Sequence, residues 1–262
     1  MSQFAFDDAA AKAMEAIYLT PDVVAQRARV LDLLAPSPGE RVLDVGVGPG
    51  LLALDLARLV GESGRMVGLD LAPAMVATAT ARLAALPQAE VRLGDATDLD
   101  LPDAAFDLAV STQVYEYVAD MPRALNELHR VLRPGGRALI LDTDWRSIVW
   151  HSSDSARMDR MLACWDGHLV DPHLPAKLGP MLRAAGFEVR RVEIVAMFSP
   201  RWQPVSYAGG MIGAIRNFVR ANGQQFGLAA AELEAWWSDQ EALIAADAFF
   251  FSVNRYAFLA TR

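Results

Sequence analysis

Residues 42–57, VLDVGVGPGLLALDLA, put a carboxylate and three glycines at alternate positions just ahead of a helix-like stretch. An apolar strand delivers the chain to Asp44. Gly46, Gly48 and Gly50 then permit a tight turn and a close backbone approach to a ligand. The helix start beyond them offers unpaired N–H groups and the positive end of a dipole. Asp70 ends the next apolar run, where a carboxylate can accept both hydroxyls of a ribose. GDAT, 94–97, ends the run after that; there Asp95 can accept from an exocyclic amine and the Ala96 N–H can donate to a ring nitrogen. Three successive strand ends therefore fit one adenosine. A glycine loop by itself can simply pack a helix on a strand, but carboxylates that close apolar strands are costly to bury without partners.

These residues need strand ends on one edge, and the chain supplies them. RVLDV (41–45), MVGLD (66–70), EVRLG (90–94), FDLAVS (106–111) and RALILDTD (137–144) are strand-like. Between them, LLALDLARLV (51–60), PAMVATATARLAAL (73–86) and MPRALNELHRVL (121–132) carry apolar residues at helical spacing. That alternation predicts parallel strands with helical crossovers. The last of these helices is expected to stop at Arg133-Pro134-Gly135-Gly136. Further on, FEVRRVEIV (187–195) and FFFSVNRYAFLA (249–260) read as an antiparallel pair at a sheet edge, with helix-like stretches 205–222 and 229–246 between them.

Composition narrows the function. The 262 residues are 53% hydrophobic and 21% charged, ample for one buried core. A net charge of -8 argues against an enzyme that tracks a nucleic-acid backbone. The lone Cys164 excludes an intrachain disulfide and any multi-cysteine metal site, and fits a reducing compartment, so a cytoplasmic location is expected. The start, MSQFAFDDAAAKAM, lacks the order of a signal peptide and reads as native N-terminal structure. No uncharged apolar run reaches the ~18 residues of a membrane span.

The succession VLDVGVGPG, VGLD, GDATDLDLPDAAFDLAVS and LHRVLRPGGRALI, within residues 20–145, resembles the class I S-adenosylmethionine-dependent methyltransferases. The likeness is greatest to the broad branch that includes the ubiquinone- and menaquinone-biosynthesis C-methyltransferases. It implies an α/β fold: a Rossmann-like seven-stranded methyltransferase sheet, helices on both faces, and here a helical insert before the last strand. One domain, 1–262, is expected, with N-terminal helices over 1–40, a cofactor-binding core over 41–144, and 145–173 and 196–248 covering the substrate. S-adenosyl-L-methionine is the implied cofactor. Gly46, Gly48 and Gly50 would border its methionine part, Asp44 would face its amino group and Asp70 would hold the ribose. Leu71 and Met75 would sandwich the adenine, whose edge meets Asp95 and Ala96, although Met75 reads equally as core. Thr112, at the end of the fourth strand, joins the same edge. Arg27, in TPDVVAQRARVLDLL (20–34) with Tyr18 nearby, could reach the methionine carboxylate or could lie on a solvated helix face.

A dinucleotide loop is a poorer match, since G-x-G-x-x-G from Gly46 would require glycine where Leu51 stands. For methyl transfer the candidates near the acceptor follow the strand ends: Tyr115, Glu116 and Tyr117 after the fourth, Asp142, Asp144 and Trp145 after the fifth. Relatives in the resembled family often carry histidine where Glu116 and Tyr117 stand. WDGHLVDPHLP (165–175) holds His168, Asp171 and His173, either a histidine base oriented by a carboxylate or a solvated turn at Asp171-Pro172. Their spacing matches no standard metal motif, so no metal is expected. Tyr115, Trp145, Trp150, Trp202 and Tyr207 could wall an apolar acceptor pocket or fill core. The expected partner is a small apolar or aromatic methyl acceptor, not nucleic acid, with the protein a monomer or homodimer. Two other functions remain: a fold that binds cofactor without catalysis, and a macromolecular methyltransferase. Against the latter, STQVYEYV (111–118) stands where an Asn-Pro-Pro-aromatic loop would be.

Overall fold

The computed structural model describes residues 14–262, so the first part of the expected N-terminal helices, 1–13, lies outside the described residues. Seven strands, β1 (Arg41–Val45), β2 (Arg65–Asp70), β3 (Ala89–Leu93), β4 (Phe106–Thr112), β5 (Leu132–Trp150), β6 (Glu188–Ser199) and β7 (Phe251–Thr261), form one sheet in the order β3-β2-β1-β4-β5-β7-β6. The first five run parallel, and β7 enters antiparallel between β5 and β6. Around the sheet lie α1 (Pro21–Leu34), α2 (Leu51–Val60), α3 (Pro73–Leu83), α4 (Met121–Val131), α5 (Ser155–Asp166) and α6 (Leu174–Ala184). Two further helices, α7 (Tyr207–Asn222) and α8 (Ala230–Ala245), lie between β6 and β7.

Local sequence explains the elements. β1 is buried beyond Arg41, as Val42, Leu43 and Val45 require of a strand covered on both faces, and Asp44 is buried with them. In α4, Met121, Ala124, Leu125, Leu128 and Val131 form one buried stripe. Its start is capped by the Asp120 carboxylate, which accepts the Arg123 N–H at 3.1 Å. Leu125, Leu128 and Leu178 pack with Leu43, Val45 and Phe258 on one sheet face. Val30, Leu34 and Leu56 pack with Val42 and Leu108 on the other.

A third apolar core joins the segments after β5 and β6. Trp145, Trp165, Met197, Ile215, Trp236 and Phe251 belong to it, so α5, α7 and α8 pack together as a cap rather than as separate flaps. The strand expected to end at 144 runs on to Trp150. After an irregularity between Asp144 and Val149 it resumes pairing, Val149 with Ser252 and Trp150 with Phe251, which extends the sheet into the cap.

Candidate active site

The three glycines at the β1–α2 turn all have positive φ, +77° at Gly46, +52° at Gly48 and +80° at Gly50, but they serve different purposes. A Cβ on Gly46 would lie 2.1 Å from Val114 Cγ2, and one on Gly50 would lie 2.9 Å from Ala79 Cβ; at Gly48 it would meet nothing within 4 Å. The outer two therefore let the protein close on itself, and Gly48 faces open space.

Asp70, at the end of β2, holds this turn. Its Oδ2 accepts the Gly48 N–H and its Oδ1 the Ala72 N–H, each at 2.9 Å. Burial pushes its carboxyl above the usual range, against the pull of those N–H donors. A carboxylate has about four lone-pair directions, so capacity remains for ribose hydroxyls. Asp44 is more demanding. It is 2% exposed, and among the described residues its Oδ2 has no hydrogen-bond partner. Burial, reinforced by the Asp70 charge, pushes this carboxyl up to about 7. An adjacent cation is what such a group lacks, and the ammonium of the cofactor's methionine part fits that need.

The other strand ends meet the same edge. The Gly94 N–H donates to the Asp70 carbonyl at 2.9 Å, tying the 94–97 turn to β2. In that turn Asp95 Oδ1 accepts both the N–H and the hydroxyl of Thr97 at 2.8 Å. Ala96 packs against the core beside it. Leu71 is 70% exposed and presents a free apolar face, while Met75 is buried at 4%, so the structure separates this pair. Thr112 closes β4 opposite Leu141. Arg27 and Tyr18 are brought together, but through the backbone: the guanidinium donates to the Tyr18 carbonyl at 3.3 Å and to Asp55 Oδ2 at 3.0 Å. Asp55 thus already neutralises Arg27.

Behind the ends of β4 and β5 lies a buried polar cluster. The Val114 N–H donates to Asp142 Oδ1 at 3.0 Å, and the Trp145 indole donates to Glu116 Oε2 at 3.3 Å. The Glu116 carbonyl accepts the Val170 and Asp171 N–H groups at 3.0 Å, clamping 165–173 onto the turn at 115–117. Burial pushes the Glu116 carboxyl up to about 8 and that of Asp142 well above its ordinary range. Facing them is Arg255 of β7, 3% exposed, whose Nε donates to Thr143 Oγ1 at 3.2 Å and whose guanidinium lies 4.6 Å over the Tyr207 ring. The Tyr18 phenol is pushed up to about 12, chiefly by burial and against the pull of Arg255; the charges of Glu116 and Asp70 also reach it. Tyr18 thus feels both this cluster and Asp70.

Tyr18, Glu116, Asp142 and Tyr207 were candidates from the sequence, but Arg255 did not stand out from the linear chain. One signal was available: Phe251, Val253, Arg255 and Ala257 alternate on the buried face of β7, which puts the arginine inside.

The expected aromatic wall is mostly core. Tyr115, 1% exposed, packs with the α4 side of the sheet instead of lining a pocket. Trp145, Trp150 and Tyr207 are 6%, 7% and 2% exposed inside the cap, and Trp202 packs on Phe249 with ring centroids 5.2 Å apart. Tyr117 is half-buried, 5.8 Å from the His168 ring. His168 packs on Trp165 with tilted rings, centroids 3.8 Å apart, its Nδ1 is bonded to the Trp165 carbonyl, and burial pushes it down to about 4, which favours the neutral ring within the cap core. His173, at the start of α6, is different. Its Nδ1 lies 2.6 Å from Asp144 Oδ1 at the end of β5, and both side chains are partly exposed. The carboxylate that orients His173 is thus Asp144; Asp171 instead accepts the His173 N–H at 3.0 Å and pairs with Lys177 at 2.8 Å. Among the described residues no cluster of three metal-ligating side chains occurs, and no helix is long and apolar enough to cross a membrane.

Comparison with known proteins agrees with this geometry. The family described as Methyltransferase domain matches residues 43–140. An uncharacterised 37.1 kDa protein in transposon TN4556 of Streptomyces fradiae is 35% identical over 237 residues, 88% of this chain and 65% of that protein. The 2-phytyl-1,4-naphtoquinone methyltransferase of Synechococcus elongatus is 44% identical over 111 residues, 41% of this chain and 48% of that enzyme. The chain thus spans between about half and two thirds of the length of these relatives. Among solved structures, Haemonchus contortus phosphoethanolamine N-methyltransferase 2 in complex with S-adenosyl-L-methionine shares the fold with a TM-score of 0.64, at 20% identity, over 100% of this chain and 58% of that one. Family match, relatives and fold agree: over residues 43–140 the chain carries a methyltransferase domain of the class I S-adenosylmethionine-dependent kind.

Proposed function

We propose that the protein transfers a methyl group from S-adenosylmethionine to a small acceptor of apolar or aromatic character. The observation that carries this reading is the buried Asp44 carboxylate, unpartnered at Oδ2, beside a glycine turn that opens at Gly48 and is held by Asp70. In this reading Asp44 neutralises the ammonium, Asp70 accepts the ribose hydroxyls, Leu71 covers an adenine face, and Asp95 and the Ala96 N–H meet its edge.

When bound, the cofactor supplies a methyl group already activated by the sulfonium charge. The protein's share is therefore to align the two reactants, exclude water and receive a proton where the acceptor carries one. His173 suits the last task. With its Nδ1 proton directed at Asp144, the Nε2 lone pair is left to accept. The cap of α5, α7 and α8 supplies the apolar surroundings. The methyltransferase-domain match spans residues 43–140 and stops short of the cap, to which this reading assigns acceptor choice.

Calorimetric titration with S-adenosylhomocysteine tests the cofactor half, and methyl transfer from labelled S-adenosylmethionine to a panel of small aromatic acceptors tests the rest. Binding in the micromolar range with turnover of at least one small acceptor is expected. Absence of binding at millimolar ligand overturns the reading, and binding without turnover of any acceptor makes the chain a non-catalytic cofactor-binding module.

A further inference from the structure

Arg255 is a cation in an interior position, and among the described residues no carboxylate makes direct contact with it. Its Nε bonds to the Thr143 hydroxyl, its terminal nitrogen to the Gln26 amide oxygen, and its plane lies over the Tyr207 ring. These partners are all neutral. Among the described residues no carboxylate lies within 4.0 Å of the guanidinium, whereas pairs such as Arg27–Asp55, Arg29–Glu193 and Arg137–Glu40 form on more exposed ground. Glu116 and Asp142 act on it only from beyond contact distance: burial raises both carboxyls against the pull of the Arg255 charge, and Glu116 is engaged by the Trp145 indole. A buried charge is normally paired, because removing it from water without a counter-charge is expensive.

The position of this charge bears on the reaction. Arg255 sits beside Thr143 near the carboxyl end of β5, roofed by the first residue of α7, with Tyr18 linking it electrostatically to Asp70 at the ribose end of the cofactor site. A guanidinium presents parallel N–H donors matched to a carboxylate, and the tyrosine rings around it favour a flat partner.

We propose that Arg255 anchors an anionic group of the methyl acceptor, and that the acceptor is a small ring-bearing carboxylic acid. The proposal rests on the methyltransferase reading given above. It assigns Arg255 to acceptor specificity, a role separate from the cofactor carboxylates and from the His173–Asp144 pair.

The test uses two isosteric pairs, benzoate with benzamide and 1-naphthoate with 1-naphthamide, titrated into the 262-residue protein saturated with S-adenosylhomocysteine and followed by calorimetry. At least one acid is expected to bind about tenfold or more tightly than its amide, as an unshared charge-assisted bond implies. The preference should vanish in Arg255→Gln and return in part in Arg255→Lys. The S-adenosylhomocysteine affinity of each protein is measured first. Loss of that affinity in the parent overturns the methyltransferase reading itself. Retained affinity with acids and amides equal, or with neither bound at millimolar concentration, overturns the role of Arg255 alone. Because the parent protein decides the acid–amide comparison, the proposal stays testable even where a variant does not fold.

Discussion

The Asp70 carboxylate and the Gly48 N–H meet at 2.9 Å across 22 residues of chain, and the other oxygen of the same carboxylate takes the Ala72 N–H. One side chain thus fixes both the glycine turn and the approach to α3. Asp70→Ala is expected to weaken S-adenosylhomocysteine binding by about 1.5–3 kcal/mol, the range for hydrogen bonds to a charged group. It should also lower the unfolding temperature, since two backbone donors lose their acceptor. Calorimetry and thermal unfolding check both, and equal affinity in variant and parent would remove Asp70 from the ribose site.

The division among the glycines gives a sharper pair of outcomes. Gly46→Ala combines a disfavoured φ of +77° with a Cβ 2.1 Å from Val114 Cγ2, so a loss of stability on the order of 1–3 kcal/mol is expected, relieved in part by adding Val114→Ala. Gly48→Ala has only backbone strain to bear, roughly 1 kcal/mol, because its Cβ meets nothing. Its effect should instead fall on cofactor binding. Denaturant unfolding run beside ligand titration separates the two, and a Gly48→Ala protein that binds S-adenosylhomocysteine as well as the parent contradicts the assignment.

Asp44 predicts a pH dependence with a definite sign. Burial and the neighbouring Asp70 hold its carboxyl up at about 7, above the unfolded value near 3.8. The free fold therefore loses this contribution to stability as pH rises from about 4 to about 7, because the unfolded chain gives up its proton first. A cationic ammonium beside Asp44 favours the ionised form. Affinity for S-adenosylhomocysteine should then rise as pH rises toward and through 7, with a proton released on binding near pH 6. Titrations in two buffers of different ionisation enthalpy measure that proton. Asp44→Asn should abolish the release and weaken binding; a parent protein that releases no proton would detach Asp44 from the ammonium.

Much of this was legible in the chain because it is local. Strand ends with acids at Asp44, Asp70 and Asp95, glycines between strand and helix, and apolar periods of two and 3.6 residues lie within short windows, and β1 to β5 follow them. The β6–β7 antiparallel edge was likewise readable from two apolar runs. What escaped is tertiary. Asp144 and His173 are 29 residues apart, and nothing in WDGHLVDPHLP tells which carboxylate its histidine meets. Leu71 and Met75 look alike as sequence, but only a folded helix decides that one is exposed and the other covered. The continuation of β5 to Trp150 depends on β7, a hundred residues later. The tryptophans expected around an acceptor were drawn into the cap interior, where burying large rings is worth most.

His173 and Asp144 offer the decisive prediction for catalysis. The histidine caps the start of α6 with its backbone while its ring Nδ1 sits 2.6 Å from the carboxylate, so the pair is fixed by β5 on one side and α6 on the other. If Nε2 takes the acceptor's proton, His173→Asn should lower kcat by about 10²–10⁴-fold, the usual share of general-base catalysis, with S-adenosylhomocysteine affinity unchanged. Asp144→Asn should lower kcat less, since the base remains but its orientation and tautomer are no longer enforced. The acceptor separates chemistry from scaffolding: His173→Asn should lose rate on an acceptor that must give up a proton and keep it on one that carries none. A His173→Asn protein with parental kcat on both would reduce the pair to a structural tie between β5 and α6, leaving methyl transfer to an acceptor that arrives already deprotonated.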